Sequence, residues 1–131
     1  MSIEIGLKGR SETIVTSQNI ASAVGSGLVP VFATPFMIAL IENAAASTLR
    51  LHLNEDESSV GTHLDISHDA ATPIGMRVWA EAEVTAVDGK KITFKVTAYD
   101  EASPMGKGSH ERFIIKPEKF LARAQAKLGS L

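Results

Sequence analysis

The segment TPFMIALIENAAASTLRLHL, from Thr34 to Leu53, limits the possible folds more than any other stretch of the chain. Thr34 suits a helix N-cap, where its hydroxyl accepts a backbone N–H, and Pro35 suits the first helical position, where no N–H is needed. Apolar residues fill Phe36 to Ile41 and recur at Ala44, Ala45, Leu49 and Leu53, and the helix is expected to end near HLNEDES. A helix apolar on nearly every side has to be covered on most of them. One carboxylate, Glu42, interrupts it. An unpaired carboxylate in a core is strongly unfavourable, so Glu42 either touches solvent at a helix edge or belongs to a functional site. Thr34, Ile38, Glu42 and Ala45 share one helix face.

The rest of the chain is suited to wrapping such a helix. SSVGTHLDISHDA puts Val60, Thr62, Leu64 and Ile66 on one parity. MRVWAEAEVTAV alternates Val78, Ala80, Ala82, Val84 and Ala86 against Glu81, Glu83 and Thr85, and KITFKVTAY alternates Ile92, Phe94, Val96 and Ala98 against polar residues. Asp88-Gly89 between these two runs marks a hairpin. GKGSHERFIIK is a fourth strand-like run, and PEKFLARAQAKL, opening with Pro117, reads as a helix with a stripe of Phe120, Leu121, Ala124 and Leu128. Ahead of the main helix, SIEIGLKGRSETIV alternates Ile3, Ile5 and Leu7 and predicts a strand. TSQNIASAVGSGLVPVFA predicts a loop or short helical piece, long enough to serve a function. One apolar helix followed by a meander requires the sheet to curl around it, and the small residues at Ala80 and Ala82 let the helix approach closely. The expectation is therefore a hotdog fold of α+β class: an antiparallel sheet around a long central helix, in a single domain over residues 1–131. Its free sheet edges are commonly managed by dimerisation. An α+β sandwich of another topology is the alternative.

Composition excludes several functions. Thirteen Lys+Arg against 15 Asp+Glu give a formal charge of -2, which is no footprint for nucleic acid. With no cysteine there is no thiolate nucleophile or cysteine-bound metal. His63 and His68 lie five apart on a strand-like run and do not make a zinc pair, and no glycine-rich nucleotide loop is present. The N-terminus has no apolar run of the secretory type, and the apolar helix is too interrupted for a membrane span. A cytoplasmic protein without a metal or separate cofactor is expected. His68, flanked by Asp65 and Asp69, is either a structural hydrogen-bonding group or a general acid–base. Thr34 is either a plain cap or a reacting hydroxyl at a helix start, whose free N–H groups can hold an oxyanion. His110 and Arg112 share a parity and are expected at the surface.

Four pieces in order, FATPFMIALIENAAA, VGTHLDISHDAATPIG, VDGKKITFKVTAYD and GKGSHERFIIKPEKF, resemble the hotdog acyl-CoA thioesterases of the fluoroacetyl-CoA thioesterase type, over roughly Val31 to Phe120. The resemblance implies a catalytic set of Thr34, Glu42 and His68 in a cleft between two subunits. It also implies Gly61 and Arg112 as substrate-binding residues, acyl-CoA as the substrate, and a homodimer or higher oligomer. The fluoroacetyl-specific enzyme carries bulky aromatic residues in the lid before the helix. Here that segment reads ASAVGSGLVP, which implies a broader or different acyl preference. The expected reaction is hydrolysis of an acyl thioester to a carboxylic acid and free coenzyme A, by attack of water or Thr34, or by Glu42 as nucleophile. The alternatives are a hotdog dehydratase or hydratase and a non-catalytic acyl-CoA binding module.

Overall fold

The computed structural model describes residues 2–131; residue 1 of the expected domain lies outside the described residues. Strands β1 (Lys8–Ile14), β2 (Ser58–His68), β3 (Arg77–Asp88), β4 (Lys91–Asp100) and β5 (Pro104–Ile115) form one sheet in the order β1-β3-β4-β5-β2. Every pairing is antiparallel. Helix α1 (Ala21–Val24) is a single turn, α2 (Thr34–Arg50) is the central helix and α3 (Pro117–Gly129) ends the chain. This is the expected hotdog arrangement, with the long helix against one face of a curled antiparallel sheet.

Alternation builds the inner face. Val78, Ala80, Ala82 and Val84 of β3 and Ile92, Phe94, Val96 and Ala98 of β4 are buried against Met37, Leu40, Ile41, Ala44, Ala45 and Leu49 of α2. The helix lies chiefly over β1 and β3. It comes so close to β1 that a Cβ on Gly9 would run into the Thr48 hydroxyl and lie 2.7 Å from the Ala44 carbonyl. The Ser11 hydroxyl donates to the Leu40 carbonyl, 2.8 Å away. The helix is offset toward β1, and the inner face of β2 is covered less completely: Leu64 is exposed and Ile66 and His68 are only partly buried.

Several details differ from the sequence expectation. The first strand falls within the expected run SIEIGLKGRSETIV but covers only Lys8–Ile14, leaving out the Ile3–Leu7 alternation. Ile5 is exposed, and Gly6 has a φ of 96° that breaks an extended run before the strand begins. A bulge between Val84 and Ala86 moves Ala86 out of the buried set. A second irregularity, between Gly61 and His63, reverses parity along β2. Thr62 is the extra residue, so Gly61 shares the inner face with Leu64, Ile66 and His68 instead of opposing them. Helix α3 has no buried residue among those described, and Phe120, Leu121 and Leu128 of its stripe are exposed.

The turn from β4 to β5 is held by a buried carboxylate. Asp100, 6 % exposed, accepts from the Thr72 hydroxyl (2.6 Å) and from the backbone N–H groups of Ala102 (2.8 Å) and Ser103 (2.9 Å). Burial by itself raises the carboxyl pKa, but these three hydrogen bonds outweigh it and hold the pKa below the ordinary aspartate value. A depressed folded-state pKa gives stability that is present above the unfolded value, roughly pH 3.9. That stability is lost as pH falls through the lower folded value. Asp100→Ala is expected to cost about 1–3 kcal/mol at pH 7, because it leaves buried donors unpaired. The wild type should lose its advantage over the variant below about pH 4, as read by urea unfolding at both pH values.

Candidate functional site

The helix begins one residue earlier than expected. Ala33 is the N-cap and makes no side-chain cap, Thr34 is the first helical residue and Pro35 the second. The Phe36 and Met37 N–H groups both bond to the Ala33 carbonyl, at 3.0 and 2.9 Å. The Thr34 hydroxyl is therefore released from capping, and its Oγ1 lies 2.7 Å from Nδ1 of His68. Pro35 has no N–H and the next two are taken, so the helix start offers fewer free donors to an oxyanion than an open N-terminus would.

Local chain geometry brings Thr34 and His68 together. His68 ends β2 on its inner face, opposite Gly106. The chain then turns back: the Asp69 and Ala70 N–H groups bond to the Met105 carbonyl at 2.6 and 3.1 Å. The Phe32 N–H bonds to the Thr72 carbonyl at 2.9 Å, and Val31 bridges Pro73. These bonds clamp the segment entering α2 to the segment leaving β2. The second ring nitrogen of His68, Nε2, is buried and has no hydrogen-bond partner among the described residues.

Glu42 belongs to a different cluster. Its Oε2 lies 3.7 Å from Nη1 of Arg112. Its side chain is 38 % exposed, so the acid is neither buried nor alone, while Ala45 on the same expected face is buried. His110 and Arg112, expected at the surface, are both buried. Their strand partners explain why: His110 pairs with Phe94 and Arg112 with Ile92, both on the inner face. Arg112 donates from Nε to the Ser59 hydroxyl (2.8 Å), from Nη2 to the Ser59 carbonyl (2.9 Å) and from Nη1 to Nε2 of His110 (3.2 Å). Burial pulls the Arg112 pKa down from its ordinary value, and the Glu42 carboxylate opposes that pull. Gly61 completes the cluster, since a Cβ there would run into Oε2 of Glu42.

The single chain thus makes two groups of the five expected residues. Thr34 and His68 form one; Glu42, Gly61 and Arg112 form the other. Thr34 and Glu42 are eight residues apart on one helix, which is about 12 Å along its axis. Ser59 and His110 join the second group without having been singled out as site residues. The H-x-R step of GSHER carries the signal for His110, but only its pairing with KITF reveals that it faces inward; Ser59, on β2, has no such signal. A cavity of about 580 Å³ on the outer sheet face, lined by Arg10, Glu81, Glu83, Lys95 and Tyr99 among others, lies away from both groups.

The antiparallel sheet around α2 is the fold of the hotdog thioesterases. Residues 15–118 match the family model of fluoroacetyl-CoA-specific thioesterases, and the chain belongs to that family. It is 40% identical over 97 residues to the fluoroacetyl-CoA thioesterase of Streptantibioticus cattleyicolor, covering 74% of this chain and 70% of that protein. A solved structure of the fluoroacetyl-CoA thioesterase FlK superposes with a TM-score of 0.91 at 32% identity, over 97% of this chain and 98% of that one. A thioesterase superfamily member from Thermus thermophilus gives a TM-score of 0.89 at 28% identity, over 99% of this chain and 98% of that one.

Proposed function

We propose that this protein hydrolyses acyl-CoA thioesters to a carboxylic acid and free coenzyme A, at a site shared between two copies of the chain. The observation that carries the reading is the 2.7 Å contact of Thr34 Oγ1 with His68 Nδ1 beside a buried, unpartnered Nε2. A hydroxyl donating to Nδ1 requires the proton to sit on Nε2. That N–H then needs an acceptor, and a carboxylate is the natural one. Glu42 of the same chain lies about 12 Å along the helix, so a second copy facing the first supplies it. Both β1 and β2 are edge strands, and long unpaired edges invite pairing with another chain.

In this scheme His68 takes the proton of the attacking hydroxyl, from Thr34 or from a water held beside it. The new C–O bond forms as the carbonyl becomes an oxyanion. When the oxyanion collapses, the C–S bond breaks and the thiolate of coenzyme A leaves with the proton returned by His68. Where Thr34 itself attacks, water repeats the cycle on the acyl ester. Coenzyme A is part of the substrate, and the chemistry calls on no metal or separate cofactor.

The acyl preference follows from the loop before α2. In GSGLVP, Leu28 and Val29 are exposed and no aromatic side chain is present, which supports a broader or different acyl preference than fluoroacetyl. No helix of the described residues is long and apolar enough to cross a membrane, and a cytoplasmic location, where acyl-CoA is available, completes the proposal. Thiol release measured across short, branched and long acyl-CoAs tests it. Hydrolysis of several, with no preference for fluoroacetyl-CoA, is expected. Enoyl-CoA hydration without thiol release would support a hydratase instead, and binding with neither reaction would support a binding module.

A further inference from the structure

His110 is fully buried, and both of its ring nitrogens are committed. Nδ1 lies 2.9 Å from the His63 carbonyl oxygen, which can only accept, so Nδ1 carries a proton. Nε2 lies 3.2 Å from Nη1 of Arg112, which can only donate, so Nε2 is bare. The ring is therefore neutral and held in one tautomer. Burial lowers its pKa below the ordinary histidine value, with the Arg112 charge adding to it and the His63 carbonyl and Glu42 opposing. Phe94 stacks against the ring, with centroids 6.1 Å apart.

The guanidinium it meets is fixed in its plane. Two Ser59 oxygens hold Nε and Nη2 from one strand, and His110 holds one hydrogen of Nη1 from another. The second Nη1 hydrogen remains on the side where the Glu42 carboxylate lies, 3.7 Å away. Ser59 sets the plane of the rigid guanidinium, and Nε2 of His110 adds the one hydrogen bond made on Nη1 itself, the nitrogen that faces Glu42. Glu42 sits on a partly exposed side chain with no other ion-pair partner among the described residues. A histidine buried merely for packing would not need its acceptor aimed at the nitrogen of Arg112 that faces the proposed catalytic acid.

We propose that His110 is a positioning residue for thioester cleavage: as a hydrogen-bond acceptor it orients Arg112, which in turn holds the Glu42 carboxylate over Gly61. The proposal rests on the reading of Glu42 as part of a thioesterase site. His110→Phe keeps the ring volume and removes the acceptor. It should lower kcat by on the order of tenfold with KM changed by less than about twofold, an effect of about 1.4 kcal/mol. His110→Gln, whose amide oxygen can still accept from Nη1, should recover most of that loss. In an Arg112→Ala background, His110→Phe should add almost nothing, because the two residues act in series. A kcat for His110→Phe within twofold of wild type, or the same loss with and without Arg112, overturns the proposal.

Should His110→Phe fail to fold, imidazole nitrogen-15 spectra of the wild type decide. A bare Nε2 and protonated Nδ1 near neutral pH are expected, and the opposite tautomer or an imidazolium overturns the proposal. A wild type inactive on every acyl-CoA overturns the thioesterase reading and this proposal with it. An active wild type indifferent to His110 overturns this proposal alone.

Discussion

His68→Ala is expected to lower kcat for acyl-CoA hydrolysis by roughly 10²–10⁴-fold, the usual contribution of a positioned acid–base group, while the protein still folds. The imidazole sits at the end of β2, and its contact to Thr34 Oγ1 is a single bond between partly exposed groups, so its removal costs little packing. Glu42→Ala should be comparably damaging if the carboxylate stabilises the imidazolium formed during attack. The two variants together test whether the site is shared. Suppose His68 works with the Glu42 of a second copy. Co-expressed Glu42→Ala and His68→Ala chains would then form mixed dimers in which one of two sites is intact. Random pairing puts half the dimers in that state, so the mixture should recover about a quarter of wild-type activity. Were His68 to work with the Glu42 of its own chain, every site would carry a lesion and the mixture would stay as inactive as its components. Thiol release from the purified mixture, normalised to dimer measured by light scattering, reads the difference directly.

The helix, the meander and their packing were legible because each depends on a local pattern. Pro35 and the apolar run after it specify α2, strict alternation specifies β3 and β4, and Asp88-Gly89 specifies their hairpin, where Gly89 takes a φ of 60°. Thr34, Glu42 and His68 stood out because a hydroxyl at a helix start, an acid on an apolar helix and an imidazole at a strand end each break a pattern. What stayed hidden depends on register. The extra residue at Thr62 changes which face Gly61 presents, and a bulge leaves no mark in a sequence that still alternates on either side of it. His110 and Arg112 looked like surface residues because polar side chains in a strand default to the solvent face. Only the pairing of β5 with β4 turns them inward, where Ser59 and Glu42 satisfy the charge. The one-residue displacement of the helix cap has the greatest chemical consequence, since a capping threonine would be spending the hydroxyl that His68 now holds.

Gly61→Ala is expected to separate activity from folding. Gly61 is absent from the positive-φ glycines, so alanine is sterically acceptable to its backbone. The obstruction lies in what the new methyl group meets. It would run into Oε2 of Glu42 and come within 3.1 Å of His110 Cε1. The Glu42 oxygen is the far end of a flexible, partly exposed side chain and can swing away at little cost, whereas the buried His110 ring has to give by only a few tenths of an ångström. The fold should therefore survive, with melting temperature close to that of the wild type, while Glu42 leaves its place beside Arg112. A displacement of about 1 Å in a positioning group can cost on the order of 10²-fold in rate, and a loss of that order in kcat is the expected result. Glu42→Gln supplies the control. If Gly61→Ala acts by moving the carboxylate, combining the two substitutions should cost little more than Glu42→Gln alone. Losses that simply multiply would mean that Gly61 acts on the substrate by its own backbone and not through Glu42.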